Sequence, residues 1–289
     1  MGSSATLGTL ISKKLPESKM KSNSPNQLFN AKWLPHLLRP HPVSICLGYH
    51  EFSGIGAHSE QKPSQYDVDL NIAVAQIKRT VEMDLPIVRF ERLADCHEYE
   101  RNNKSVVSIT IDDGHRSGLQ FAEALSEMGV SATFFITPKF MIDREGYFSK
   151  QDLKKLLALG MDIGAHGFSH AKLSNLSREK LFFELQASKE WIEDAIQKRV
   201  TTMVAPAGFV GSREIAAAQD VGYRLIGNSL ERTSSLPINN GVVDRICVRR
   251  HYNLRTFEKI TSNDTLFYLR KRIRNRALYI PKKIVSKIG

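Results

Sequence analysis

Ser108-Ile109-Thr110-Ile111-Asp112-Asp113-Gly114 reads as a buried, β-branched strand that delivers two adjacent carboxylates at its C-terminal end, where α/β enzymes keep their chemistry. Downstream, His166-Gly167-Phe168-Ser169-His170 follows a short strand-like run and sets two imidazoles four residues apart. A carboxylate with two imidazoles leaves a position for water, the usual design of a catalytic rather than a structural divalent-metal site. Side chains alternate along a strand, so Asp112 and Asp113 face the same way only if the chain turns there, and Gly114 permits the turn. Taken singly, Asp-Asp-Gly also reads as a plain turn and the histidine pair as solvated side chains. Together they point to a hydrolase.

Outward from these motifs the pattern alternates strand and helix. Strands are expected at 44–49, 106–111, 130–136, 161–165, 202–205, 224–227 and 245–248. Helices are expected at 67–83, at 119–128, from Ser149, where Asp152 gives capping-box spacing, and from Ser177 with Leu181, Leu185, Ile192 and Ile196 on one face. A further helix is capped by Ser212. Parallel strands need such long crossovers, so the fold class is α/β, a distorted (β/α) barrel with about seven parallel strands, with an open doubly wound sheet as the alternative. No G-x-G-x-x-G and no Walker-type loop is present, which argues against a nucleotide cofactor.

Thr110-Ile111-Asp112-Asp113-Gly114 resembles the first motif of the polysaccharide deacetylases, the NodB homology domain of carbohydrate esterase family 4 type, and His166 to His170 resembles the second. Leu47-Gly48-Tyr49-His50, Val130-Ser131-Ala132-Thr133-Phe134-Phe135 and Gly164-Ala165-His166 resemble the strands around them, over roughly residues 44 to 252. The resemblance implies the same barrel and a metal-dependent hydrolase that removes an N-acetyl or other small acyl group from an amino sugar of a polysaccharide or lipid-linked glycan precursor. It further implies Asp113, His166 and His170 as metal ligands and Asp112 as the general base. One divalent ion is implied, zinc first, with cobalt, nickel, manganese or iron also suited to such ligands.

Departures from the family pattern are specific. Ile111 stands where members commonly have an aromatic, and Gly167 replaces a Ser or Thr, which should loosen that loop unless Ser169 compensates. In the third motif, Met203-Val204-Ala205-Pro206-Ala207-Gly208, Val204 replaces an Arg that orients the base and Ala207 replaces an aromatic. A backbone N–H for the oxyanion survives around Pro206, Ala207 and Gly208, while Arg116, Arg249 or Arg250 would have to stand in for the missing cation. By resemblance the general acid is His251, with His50 a second candidate on the site wall. His58, His97 and His115 have no argument beyond residue type.

The chain of 289 residues is large enough for a substantial core, and 42% of it is hydrophobic. Three cysteines, Cys46, Cys96 and Cys247, lack any C-x-x-C spacing and read as reduced, buried thiols. The organisation expected is a poorly ordered leader at 1–42, a deacetylase-like domain at 43–255 and a basic C-terminal helix and tail at 256–289. With no export signal or membrane span in view, the expected location is cytoplasmic, at most peripheral to the inner membrane face. Net charge is +11, and Arg270, Lys271, Arg272, Arg274, Arg276, Lys282, Lys283 and Lys287 place most of it in the tail. That tail fits an anionic membrane surface; an N-acetylated carbohydrate is the expected substrate, and no nucleic acid is expected. Two other readings compete: a catalytically impaired glycan-binding or scaffold relative, and a basic module whose tail is the working part.

Overall fold

The computed structural model describes residues 41–54, 64–271 and 273. Most of the expected leader, His58 and the tail from 274 onward lie outside them. The strands are β1 (Val43–Tyr49), β2 (Glu51–Ser53), β3 (Asp67–Asp69), β4 (Val106–Ile111), β5 (Thr133–Ile136), β6 (Asp162–Ala165), β7 (Thr202–Val204), β8 (Leu225–Gly227), β9 (Ser234–Ser235), β10 (Val242–Val243) and β11 (Arg245–Cys247). The helices are α1 (Leu70–Glu82), α2 (His97–Arg101), α3 (Gly118–Glu127), α4 (Pro138–Asp143), α5 (Lys150–Ala158), α6 (Arg178–Ile196), α7 (Ser212–Val221) and α8 (Leu254–Thr261).

The main sheet runs β10-β8-β7-β6-β5-β4-β1-β11 with every neighbouring pair parallel, and β9 lies antiparallel on β1. Its two ends, β10 and β11, are consecutive pieces of one extended segment interrupted at Asp244, so the sheet comes nearly full circle. This is the expected barrel rather than an open sheet. Along β4, Val107, Ile109 and Ile111 pack with helix residues Ile77, Phe121 and Leu125. Val106 instead joins Cys46, Phe135, Val204, Leu225 and Val243 in a separate cluster that fills the interior of the curl. The two-residue period that sends Val106 inward sends Ser108, Thr110 and then Asp112 the same way.

Three boundaries differ from expectation. Residues 67–69 pair with β2 as a short strand, and Asp69 caps α1 by accepting from the N–H groups of Asn71 and Ile72. The strand expected from 130 begins at Thr133, because the Val130 N–H is drawn back to the Leu125 carbonyl at the end of α3. Ser212 is the first residue of α7 rather than its cap; Gly211 is the cap, its N–H donating to Glu214 at 2.7 Å. The expected Ser149–Asp152 capping box is present at the start of α5. Helix α8 packs against α1 and buries Phe257 and Ile260. No helix among the described residues is long and apolar enough to cross a membrane.

Candidate metal centre and active site

Asp112 is the last rung between β4 and β1, its N–H donating to the Tyr49 carbonyl at 2.9 Å. The chain turns left-handed immediately afterwards, at Asp113 (φ 72°) and Gly114 (φ 86°), so the turn begins one residue before the glycine. That turn parts the two carboxylates. Asp113 Oδ1 comes to rest 3.3 Å from His166 Nε2 and 3.2 Å from His170 Nε2, and the three ligand atoms lie within 4.8 Å of one another.

The donor set fits a divalent cation. His166 Nδ1 lies 2.8 Å from the Val204 carbonyl, which only accepts, so Nδ1 carries the proton. That tautomer leaves Nε2 on the Asp113 side, where its lone pair would face a bound ion, as in metal-ligating histidines. Asp113 Oδ1 is buried and has no hydrogen-bond partner among the described residues. Burial alone would raise the Asp113 pKa, but the two histidines hold it well below the usual carboxylate range. A charged, buried oxygen facing two imidazole nitrogens needs a positive charge among them.

The second motif is held from an unexpected side. Glu184 on α6 accepts from the N–H groups of Phe168 and Ser169, both at 2.9 Å, and from the Ser169 hydroxyl. Gly167 therefore does not leave the loop slack, and a Cβ there would sit 3.2 Å from Pro206 Cγ and 3.3 Å from Glu184 Oε2. Ser169 compensates through Glu184. A buried acid between Leu181 and Leu185 on an otherwise apolar helix face was the signal for it.

The orienting cation is Arg245, which sequence reasoning missed. Its guanidinium donates from Nη1 to Asp112 Oδ1 at 2.8 Å and from Nη2 to Asp112 Oδ2 at 2.7 Å, a bidentate pair. It also donates to Thr110 Oγ1, the Asn228 carbonyl and Ser229 Oγ, and only 1% of it is exposed. Arg245 aligns with Cys46, three residues below the end of β1, so its side chain runs up through the barrel interior to reach Asp112. Gly48 and Gly227 clear that path: a Cβ on either would stand 3.3 Å or less from an Arg245 atom. Burial would raise the Asp112 pKa, but the Arg245 charge, with His166 and His50 behind it, keeps it below the usual value. The proposed substitutes lie elsewhere: Arg116 pairs with Asp152, Arg249 with Glu231 and Arg250 with Asp67.

His50, at the end of β1, shares the mouth. Its Nε2 is 3.8 Å from Asp112 Oδ2, its ring stacks on Tyr66 at 4.7 Å, and its Nδ1 is buried without a partner among the described residues. Burial lowers its pKa, and Asp112 and Asp113 oppose the shift. After β7, Pro206, Ala207 and Gly208 form a single tight turn in which Ala207 is exposed at φ 60°. Gly208 is required sterically, since a Cβ would fall 2.3 Å from that of Ser229. His251 is exposed, its ring against Tyr252, and it makes no hydrogen bond or ion pair with these residues among the described ones. His97 pairs with Glu100, and His115 bonds the Ser117 hydroxyl.

Residues 99–226 match the family model for polysaccharide deacetylases. Among curated relatives, an uncharacterised 30.6 kDa protein of Geobacillus stearothermophilus is 29% identical over 44% of this chain and 48% of its own length. The peptidoglycan-N-acetylglucosamine deacetylase PgdA of Listeria monocytogenes is 25% identical over 50% of this chain and 30% of its own. The chain thus spans less than half the length of either. The fold recurs in the Streptococcus pyogenes deacetylase PplD, solved with acetate, at a TM-score of 0.67 and 16% identity over 77% of this chain and 99% of that one. It recurs also in a polysaccharide deacetylase from Bacillus cereus, at 0.66 and 18% over 76% and 69%. The matched segment runs through both motifs, and over it this chain is similar to the polysaccharide deacetylases, whose fold it shares beyond the segment.

Proposed function

We propose that this domain is a metal-dependent N-deacetylase that releases a small acyl group, acetate first, from the amide nitrogen of an amino sugar in a glycan or glycan precursor. The observation that carries this reading is the Asp113 oxygen, without a hydrogen-bond partner among the described residues, facing two imidazoles beside a second carboxylate kept ionised by Arg245. A divalent ion held by Asp113, His166 and His170 would polarise the acyl carbonyl and acidify water. Zinc heads the candidates on ligand type.

Asp112, ionised and oriented by a bidentate guanidinium, takes the water proton as general base. Ala207 N–H, on the exposed tip of the turn after β7, serves the developing oxyanion, with Pro206 and Gly208 fixing the turn. For the leaving amine we assign the proton donor to His50, which lies beside Asp112, in preference to His251 on the outer surface. Because a cation does stand beside the base, the missing Arg no longer argues for a non-catalytic binding or scaffold role. The name of the Listeria relative makes N-acetylglucosamine oligomers the first substrates to try.

The test combines metal content with two leaving groups. Purified protein is expected to hold about one equivalent of transition metal, reduced by Asp113→Asn or His166→Ala and kept by Asp112→Asn, which loses acetate release. His50→Ala should lose about 10²-fold or more on an N-acetylated sugar, yet far less on an aryl acetate, whose phenolate departs unprotonated. Equal metal retention in all three site variants would overturn the ligand assignment. Equal losses on both substrates would remove His50 as the acid.

A further inference from the structure

Residues 265–271 are helical and packed on the domain through one side only. Tyr268 is buried, and Lys271 donates to the Glu231 carboxylate and, at 3.3 Å, to the Tyr252 hydroxyl. Glu231 in turn accepts from Arg249 at 3.2 Å, so the helix is clamped to the wall of the barrel. Its other side carries Leu266, Leu269 and Ile273, exposed by 54%, 50% and 60%. Spacings of three and four residues put these aliphatics in one stripe, with the exposed Arg270 beside it.

A groove of about 340 Å³ between α8 and this helix adjoins the stripe and is lined by Thr256, Lys259, Phe267 and Arg270. Asp264 is the acid in that lining, and its Oδ1 is occupied in capping the Phe267 N–H at 2.7 Å. From Thr265 to the end the sequence contains eight Lys and Arg residues and no Asp or Glu. Whatever covers this face must be apolar where the stripe meets it and anionic around the rim.

We propose that this helix docks the domain on a bilayer surface containing acidic phospholipids. Leu266, Leu269 and Ile273 enter below the headgroups, while Arg270 and Lys259 meet the phosphates. The clamp through Lys271, Glu231 and Arg249 transmits the contact to the barrel as a rigid body.

Flotation of the full chain with vesicles tests this without reference to deacetylation, so its failure and that of the catalytic reading are distinguishable. The protein should float with vesicles of phosphatidylcholine mixed with phosphatidylglycerol, less so at high salt, and not with phosphatidylcholine alone. The Leu266→Ser/Leu269→Ser/Ile273→Ser variant should bind at least about tenfold more weakly, and Lys259→Glu/Arg270→Glu should lose the preference for acidic lipid. All substituted side chains face solvent, and an unchanged thermal midpoint checks the fold. Wild-type protein that ignores acidic vesicles, or a triple variant that binds like wild type, would overturn the proposal. So would a wild-type dimer that the triple variant abolishes with no lipid binding, which would make a second copy the occupant.

Discussion

Arg245 is buried against Asp112, and the two are worth more as a pair than either is alone. Removing one partner of a buried, hydrogen-bonded ion pair strands the other charge and costs about 3–5 kcal/mol. Arg245→Met should therefore be strongly destabilising, and much less so in an Asp112→Asn background; urea unfolding of the four proteins measures the coupling. A functional consequence has a definite sign. Burial pushes Asp112 up and Arg245 holds it down, so without the guanidinium the base must take up a proton at higher pH. The acid limb of kcat/KM for acetate release should move to higher pH in Arg245→Met, while the metal stays bound. A limb left where it was would separate Arg245 from the base it touches.

Elements explain both what could be read in the chain and what could not. β4 and β6 announce themselves as apolar runs ending in polar residues, so Asp112, Asp113, His166 and His170 could be singled out in the sequence, and the structure brings Asp113, His166 and His170 together. The Arg245–Asp112 pair joins residues 133 apart in sequence and begins low on a three-residue strand, a relation that only the closed barrel creates. Glu184 stood out as an acid on a largely apolar helix face, but its partners did not, because they are backbone N–H groups of a loop on another element. His251 suited its role by position along the chain, whereas His50 reaches the mouth because β1 and β4 are neighbours in register. The turn after β7 was read as a backbone feature, and its strain was not visible in the sequence. Ala207 occupies left-handed backbone at φ 60°, which costs a non-glycine residue about 1–2 kcal/mol. Ala207→Gly keeps the N–H and relieves that strain, less the entropy of a freer unfolded chain. It should raise stability by ~0.5–1 kcal/mol, with kcat nearly unchanged. A large loss of kcat would mean that the side chain or its rigidity matters at this turn, not the amide.

At the scale of the molecule, the site depends on how the sheet is brought round. Segment 242–247 pairs with β8 through its first half and with β1 through its second, and Asp244 sits at the joint. Its carboxylate accepts from the Asn228 amide at 2.6 Å and from Arg232, and its N–H donates to Ser234 Oγ at 2.7 Å, on the strand that flanks β1. Asp244 thus fastens three pieces of the seam, and Arg245 is the next residue. Asp244→Ala removes charge-assisted hydrogen bonds and leaves the Asn228 amide unpaired, for an expected loss of about 2–3 kcal/mol in urea unfolding. The proposed metal ligands follow β4 and β6, across the sheet, and any ion they hold should stay. The guanidinium should not keep its register against Asp112, so acetate release is expected to fall at unchanged metal content. Lower stability with full turnover would mean that the seam and the site are independent; lower metal content would mean that the ligand strands, too, are held in place by closure of the barrel.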